Sequence, residues 1–181
     1  MQGITLSVLW MSGALVSFLS MALAGRELSA ELNTFQILFF RSAIGVLIIV
    51  AILSKAGWYQ IKTDRLPTHF IRNIAHYVGQ FGWFYAIAII PLAQVFAIEF
   101  TIPIWTALLA PFLLGERVTP MRLAVIVIGF TGILVILRPG MVPFEIGAIS
   151  ALIAAIGYAL SHTLTKKLTA TDSPLAVIFY M

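Results

Sequence analysis

The chain has 181 residues, of which 61% are hydrophobic and only 10% charged, and its mean hydropathy is +1.03. A soluble domain runs near half apolar and a quarter charged, so these side chains cannot cover a water-facing surface. A soluble enzyme, a nucleic-acid-binding module and a disordered chain are thereby excluded, and a net charge of +4 needs an explanation other than nucleic acid. The absence of cysteine removes disulfides, Cys-ligated zinc, iron–sulfur clusters and thiol nucleophiles.

The few charges are clustered. None falls in residues 1–25, 73–98 or 146–165, and uncharged apolar stretches of about 20 residues match a helix crossing a hydrocarbon core of roughly 30 Å. The fold class expected is an all-α polytopic membrane protein whose surrounding partner is the lipid bilayer. In chain order the spans are residues 3–24, 35–53, 70–90, 92–114, 121–137 and 146–164, with 174–181 opening a seventh. Ala22-Leu23-Ala24 resembles a signal-peptide cleavage site, but the apolar stretch before it is longer than a signal core and no Lys or Arg precedes it, so it reads as a span. Pro91 marks a tight turn between the third and fourth spans. Gly79 with Gly82, and Gly129 with Gly132, lie one turn apart, which favours close helix–helix contact over ligand contact. Pro103 and Pro111 interrupt the fourth span, and each removes a backbone donor. Such breaks occur where backbone is buried in protein or lines a wet cavity, and equally as structural kinks.

Lys and Arg fix the expected orientation. Lys55, Lys62, Arg65, Arg72, Arg117, Arg122, Lys166 and Lys167 fall in loops on one face, whereas the opposite face holds only Arg26 and Arg138. By the positive-inside rule the basic loops and the amino terminus are cytoplasmic, as for a bacterial-type inner (plasma) membrane protein. The positive charge therefore reads as a topology device.

Three polar groups lie inside apolar sequence. Arg72, His76, Gln80 and Trp83 are spaced four, four and three apart, which places them on one face of the third span, with Asn73 and Tyr77 beside it. A donor-rich, aromatic-lined face of this kind suits a small organic metabolite; the competing reading has Arg72 reaching to the interface while His76 and Gln80 bond to neighbouring helices. Tyr158, Ser161, His162 and Thr165 repeat the pattern in the sixth span, and Thr106 in the fourth is a further candidate for the lining of a cavity. The third group is Glu99 and Arg41, the charges deepest in apolar sequence. An ionisable residue at that depth costs several kcal/mol unless paired or hydrated. Glu99 is a candidate proton-coupling carboxylate, or Arg41 and Glu99 form a buried ion pair. No catalytic or phosphate-binding signature is present, and the three histidines are too scattered in sequence to indicate a metal site. Catalytic residues, metal and cofactor are all expected to be absent.

The segment Phe35-Gln-Ile-Leu-Phe-Phe-Arg41-Ser-Ala-Ile-Gly45, the stretch from Ile90-Pro91 through Ile102-Pro103, then Leu114-Gly115-Glu116-Arg117-Val118-Thr119 and Gly129-Phe130-Thr131-Gly132-Ile133, resemble in order and spacing the EamA-type transporters of the drug/metabolite transporter superfamily. The Phe-Phe-Arg segment and the Trp83-Phe-Tyr-Ala86 run look most like the branch that includes S-adenosylmethionine and riboflavin carriers. The resemblance implies a first five-helix repeat over residues 3–140 and the beginning of a second, inverted repeat over 146–181, hence a ten-helix carrier of which this chain is an amino-terminal fragment. Glu116 matches a glutamate of the family, where a helix-end or loop-ordering role fits its position; Glu99 departs from the family pattern.

The resulting expectation is a membrane transporter, not an enzyme, that moves a small-molecule substrate by alternating access. The substrate-binding candidates are His76, Tyr77, Gln80, Trp83, Thr106, Tyr158 and His162. A non-transporting membrane scaffold or assembly subunit is the competing class, and a natural half-length product would call for a homodimer.

Overall fold

The computed structural model describes residues 2–117, 119–137 and 145–181. All regular elements among them are helical: α1 (Gln2–Leu28), α2 (Thr34–Ala56), a 3-10 turn (Trp58–Ile61), α3 (Leu66–Ile89), α4 (Leu92–Glu99), α5 (Ile102–Leu114), α6 (Pro120–Leu137), α7 (Ile146–Leu168) and α8 (Pro174–Phe179). Four stretches are long and apolar enough to cross a membrane: Thr5–Leu28, Thr34–Ala56, Leu92–Leu114 and Ile146–Leu168. With 24 residues, α3 spans about 36 Å, but its polar stripe lowers its hydropathy.

Helix ends fall where local chemistry puts them. Asn33 caps α2 through a reciprocal box: its side chain accepts from Gln36 N–H, and the Gln36 side chain accepts from Asn33 N–H, each at 3.0 Å. Gly57 ends α2 at φ +100, a region L side chains rarely enter. Pro67 occupies the first turn of α3, and Pro91 separates α3 from α4 as expected. The break in the fourth span comes at Phe100–Thr101, ahead of Pro103, which serves as a first-turn residue of α5. Pro111 lies inside α5 without ending it. The prolines thus mark one helix start and one tolerated interior position. Thr101 O collects the first backbone bonds of α5, from Ile104 and Trp105.

The core sits on the seam between α3 and α7. Close packing in a membrane depends on small residues, because lipid tails are as apolar as leucine. On α7 the buried positions include Gly147, Ala148, Ala151, Ala154, Ala155, Gly157 and Ala159. A Cβ on Gly157 would meet Ala75 O at 2.8 Å, one on Gly82 would meet Ser150 O at 2.8 Å, and one on Gly79 would meet the Tyr158 ring at 2.9 Å. The Ser150 hydroxyl then donates to Gly82 O at 3.0 Å. Gly129 similarly lies against Ile104, whereas Gly132 has open space beside it, so only the first of that pair makes a helix contact. Around the seam Trp83, Ala86, Ile87, Ile90, Val95 and Ile98 are buried, while large apolar side chains on α1 and α2 such as Trp10, Leu47 and Phe39 face outward. Apolar outside and small inside is the arrangement a bilayer selects.

Polar bonds pin both ends of the seam. Arg26, at the end of α1, donates to Ile87 O at 3.1 Å and to Ile90 O at 2.6 Å, satisfying carbonyls that the end of α3 leaves free. Arg138, counted with it on the sparsely charged face, lies outside the described residues. At the other end His69 meets Asp172 at 2.7 Å, Ser173 donates to Gln60 O at 2.8 Å and the Tyr180 hydroxyl donates to Ile61 O at 3.1 Å. Glu116 accepts from Lys166 at 2.6 Å and Arg122 at 2.7 Å, joining the ends of α5, α6 and α7, the loop-ordering role its position implied.

Candidate substrate site

The 3.6-residue period of α3 turns His76, Gln80 and Trp83 toward neighbouring helices, and α7 brings its own polar residues opposite them. Gln80 Nε2 lies 2.9 Å from His76 Nε2. The other ring nitrogen of His76 is 3.5 Å from the Ser161 hydroxyl, and its ring meets Tyr158 edge-on at 5.6 Å. Tyr158 stacks on His162, with centroids 5.9 Å apart and planes 19° from parallel. Gly79 makes this possible, because Tyr158 fills the place a larger α3 side chain would occupy. His76, Gln80, Tyr158 and His162 therefore form one polar, aromatic group on the α3–α7 seam.

Two cavities open from this group. His162 and Thr106 line the larger, about 630 Å³, between α5, α6 and α7, together with Ile102, Pro103 and Arg122. Gln80 lines the smaller, about 210 Å³, with Arg41 and Ser42 of α2 and Phe179 of α8. Tyr77 lies off the stripe; it is 49% exposed and turned toward Phe81, so the structure does not bring it to the group.

Arg41 and Glu99 do not pair. Glu99 Oε2 accepts a 2.8 Å hydrogen bond from the buried indole N–H of Trp83, and the Arg41 guanidinium lies over the Phe84 ring, 5.8 Å from its centroid. Trp83 and Phe84 are adjacent on α3 with ring centroids 5.1 Å apart, so the two charges are held by neighbouring residues of one helix yet by different partners. Glu99 is the last residue of α4, immediately before the break.

Arg72 is held inside the protein. It is fully buried, and its Nε and one terminal nitrogen donate to Asn73 Oδ1 at 3.2 and 2.7 Å, while Asn73 in turn donates to Tyr180 O. Its remaining terminal nitrogen and His69 Nδ1 are buried without a partner. The sequence stripe is therefore divided by depth: Arg72 belongs to the network at the start of α3, and His76, Gln80 and Trp83 to the seam. Outside the spans, two carboxyls are held below the ordinary carboxylate range. For Glu116 the cause is the hydrogen bond from Lys166, followed by that from Arg122. For Asp172 burial alone would raise the value, but hydrogen bonds from Thr63, His69 and Thr171 outweigh it.

Residues 5–138 match the EamA-like transporter family. The chain is 28% identical over 171 residues to the S-adenosylmethionine uptake transporter of Rickettsia bellii, covering 94% of this chain and 59% of that protein. It is 30% identical over 145 residues to the riboflavin transporter of Brucella anthropi, covering 80% of this chain and 51% of the relative. To the pseudopaline exporter of Pseudomonas aeruginosa it is 29% identical over 180 residues, 99% of this chain and 62% of the relative. The chain thus spans between half and two thirds of the length of these relatives, all of which bear the names of transporters and none of an enzyme. No solved structure matches it. Apolar helices packed through glycine, with a polar group on their seam and the family match over residues 5–138, establish this integral membrane protein as a member of the EamA-like transporter family.

Proposed function

We propose that the whole protein carries a small organic metabolite across a bacterial plasma membrane by alternating access. The amino terminus and the basic loops face the cytoplasm, and a second, inverted repeat begins at residue 146. The observation that carries this reading is the polar group of His76, Gln80, Tyr158 and His162, placed between an open groove of about 630 Å³ and a pocket of about 210 Å³ among otherwise apolar helices. A scaffold needs no such group, and helix association alone would close the space around it. The names of the relatives make S-adenosylmethionine and riboflavin the first substrates to try.

Glu99 is the residue through which transport couples to protons. It stands at a helix break, and the Trp83 indole donates to it, which holds the carboxylate without neutralising it. The test is uptake by the complete gene product in proteoliposomes. With Glu99→Gln, uptake driven by a proton gradient is abolished while exchange of labelled for unlabelled substrate persists. Loss of both, or of neither, removes Glu99 from the coupling role. Absence of uptake by the unmodified protein with either substrate argues against the carrier reading for these metabolites.

A further inference from the structure

Arg41 lies within an apolar helix, and the described residues supply no anion for it. It is the eighth residue of α2 and therefore lies about 10 Å along the helix from Thr34. The ion pairs among the described residues join His69 to Asp172 and Glu116 to Arg122 and Lys166, all at the other end of the bundle, and Glu99 is engaged by Trp83. Phe84 attracts the guanidinium through its ring face, but an aromatic face satisfies none of the five N–H donors, which project from the guanidinium edge. Those donors have somewhere to point. Arg41 borders two pockets, an apolar one of about 320 Å³ shared with Phe40 and Phe84 and the 210 Å³ cavity shared with Ser42 and Gln80, and of these the second holds further polar groups.

We propose that the transported metabolite bears a carboxylate and that Arg41 binds it in this cavity, with Ser42 and Gln80 as flanking hydrogen-bond partners. The proposal rests on the carrier reading and deepens it by naming the chemical class. A planar guanidinium matches a carboxylate with two parallel N–H···O bonds, and Phe84 lies 5.8 Å from the Arg41 guanidinium carbon without using its N–H donors. The charge balance selects carboxylate over phosphate. Arg41 contributes one positive charge to the lining, and the other polar residues there, Ser42 and Gln80, are neutral. That meets a singly charged carboxylate and leaves the second charge of a phosphate monoester without a partner among the described residues. The cavity also continues toward the polar group already described, because Gln80 belongs to both. A substrate anchored at Arg41 is thereby directed toward His76 and Tyr158.

The complete gene product is reconstituted in proteoliposomes and offered three probes: S-adenosylmethionine, the same compound with its carboxylate masked as the methyl ester, and riboflavin, which has no carboxylate. The unmodified protein should take up S-adenosylmethionine and discriminate against the ester by about tenfold or more, the scale of losing one desolvated charge pair. Arg41→Met should carry acid and ester equally poorly. Arg41→Lys, which keeps the charge but not the fork, should retain part of the preference and shows that the position tolerates substitution. Equal uptake of acid and ester by the unmodified protein overturns the proposal, as does an Arg41→Met variant that still prefers the acid. Uptake of riboflavin without S-adenosylmethionine overturns it while leaving the carrier reading intact. No uptake of any probe by the unmodified protein overturns both.

Discussion

The Trp83 indole N–H donates a 2.8 Å hydrogen bond to Glu99 Oε2, and this contact ties the middle of α3 to the last residue of α4 just before the chain breaks at Phe100–Thr101. Trp83 is itself buried, packed against Phe18 and Phe84. Trp83→Phe keeps the aromatic volume and removes the donor. It should destabilise the protein by about 1–3 kcal/mol, the cost of leaving a partly buried acceptor unsatisfied. Thermal unfolding in detergent reads it directly, and an unchanged midpoint would show that water or another group takes over from the indole.

The seam between α3 and α7 makes a sharper demand. Gly157→Val places carbon against Ala75 O, which the backbone cannot yield without separating the helices. A loss of about 1–3 kcal/mol or more is expected from overpacking. Gly132→Ala is the control without a clash, since nothing lies within 4 Å of its new methyl group, and the helix preference of alanine should hold or slightly raise the unfolding midpoint. Equal behaviour of the two variants would remove the close-approach account of the seam.

Accessibility can be read chemically because the chain has no cysteine. Gln80→Cys and Thr106→Cys, each facing a cavity, should react with a water-soluble thiol reagent, whereas Ala159→Cys, fully buried on α7, should not. Protection of both cavity positions would favour a packed scaffold over a carrier.

Acidification tests the network at the start of α3. Because hydrogen bonds lower the Asp172 carboxyl in the folded protein, folding is stabilised above the unfolded-state value of 3.8, and that contribution disappears as pH falls through the lower folded value. The unfolding midpoint of the unmodified protein should therefore drop below about pH 4. Asp172→Asn should start lower at neutral pH and lose less over the same interval. Parallel pH profiles would separate Asp172 from the stability of this end.

Much of this architecture was legible from charge and small-residue placement, because a bilayer penalises mistakes in both so heavily. Gly79 and Gly82 were readable as a contact face, and Pro91 as a turn, from steric and hydrogen-bonding rules that act within a few residues. The face carrying His76, Gln80 and Trp83 followed from helical periodicity alone. What the periodicity could not supply was depth and partner. It put Arg72 on the same stripe, yet Arg72 belongs to a separate network built with Asn73 and Tyr180. It also admitted Tyr77, only one residue from His76 but a hundred degrees around the helix and half exposed. Arg26 looked like a topology charge, and its bonds to Ile87 O and Ile90 O depend on two helices meeting more than sixty positions apart. The Arg41–Glu99 pair failed for the same reason: opposite charge in sequence says nothing about which aromatic neighbours reach each group first.

The glycine contact between α3 and α7 has a mechanical meaning. Interlocked leucines behave like meshed gears, and one helix can turn against the other only by withdrawing each tooth from its slot. Gly79, Gly82 and Gly157 present bare backbone instead, so α3 and α7 meet more like a shaft in a smooth bearing. Small shifts about such a contact unmesh few side chains, and the Ser150 bond to Gly82 O acts as its detent. In the carrier proposed above, such a contact would let one helix shift against the other without unmeshing large side chains.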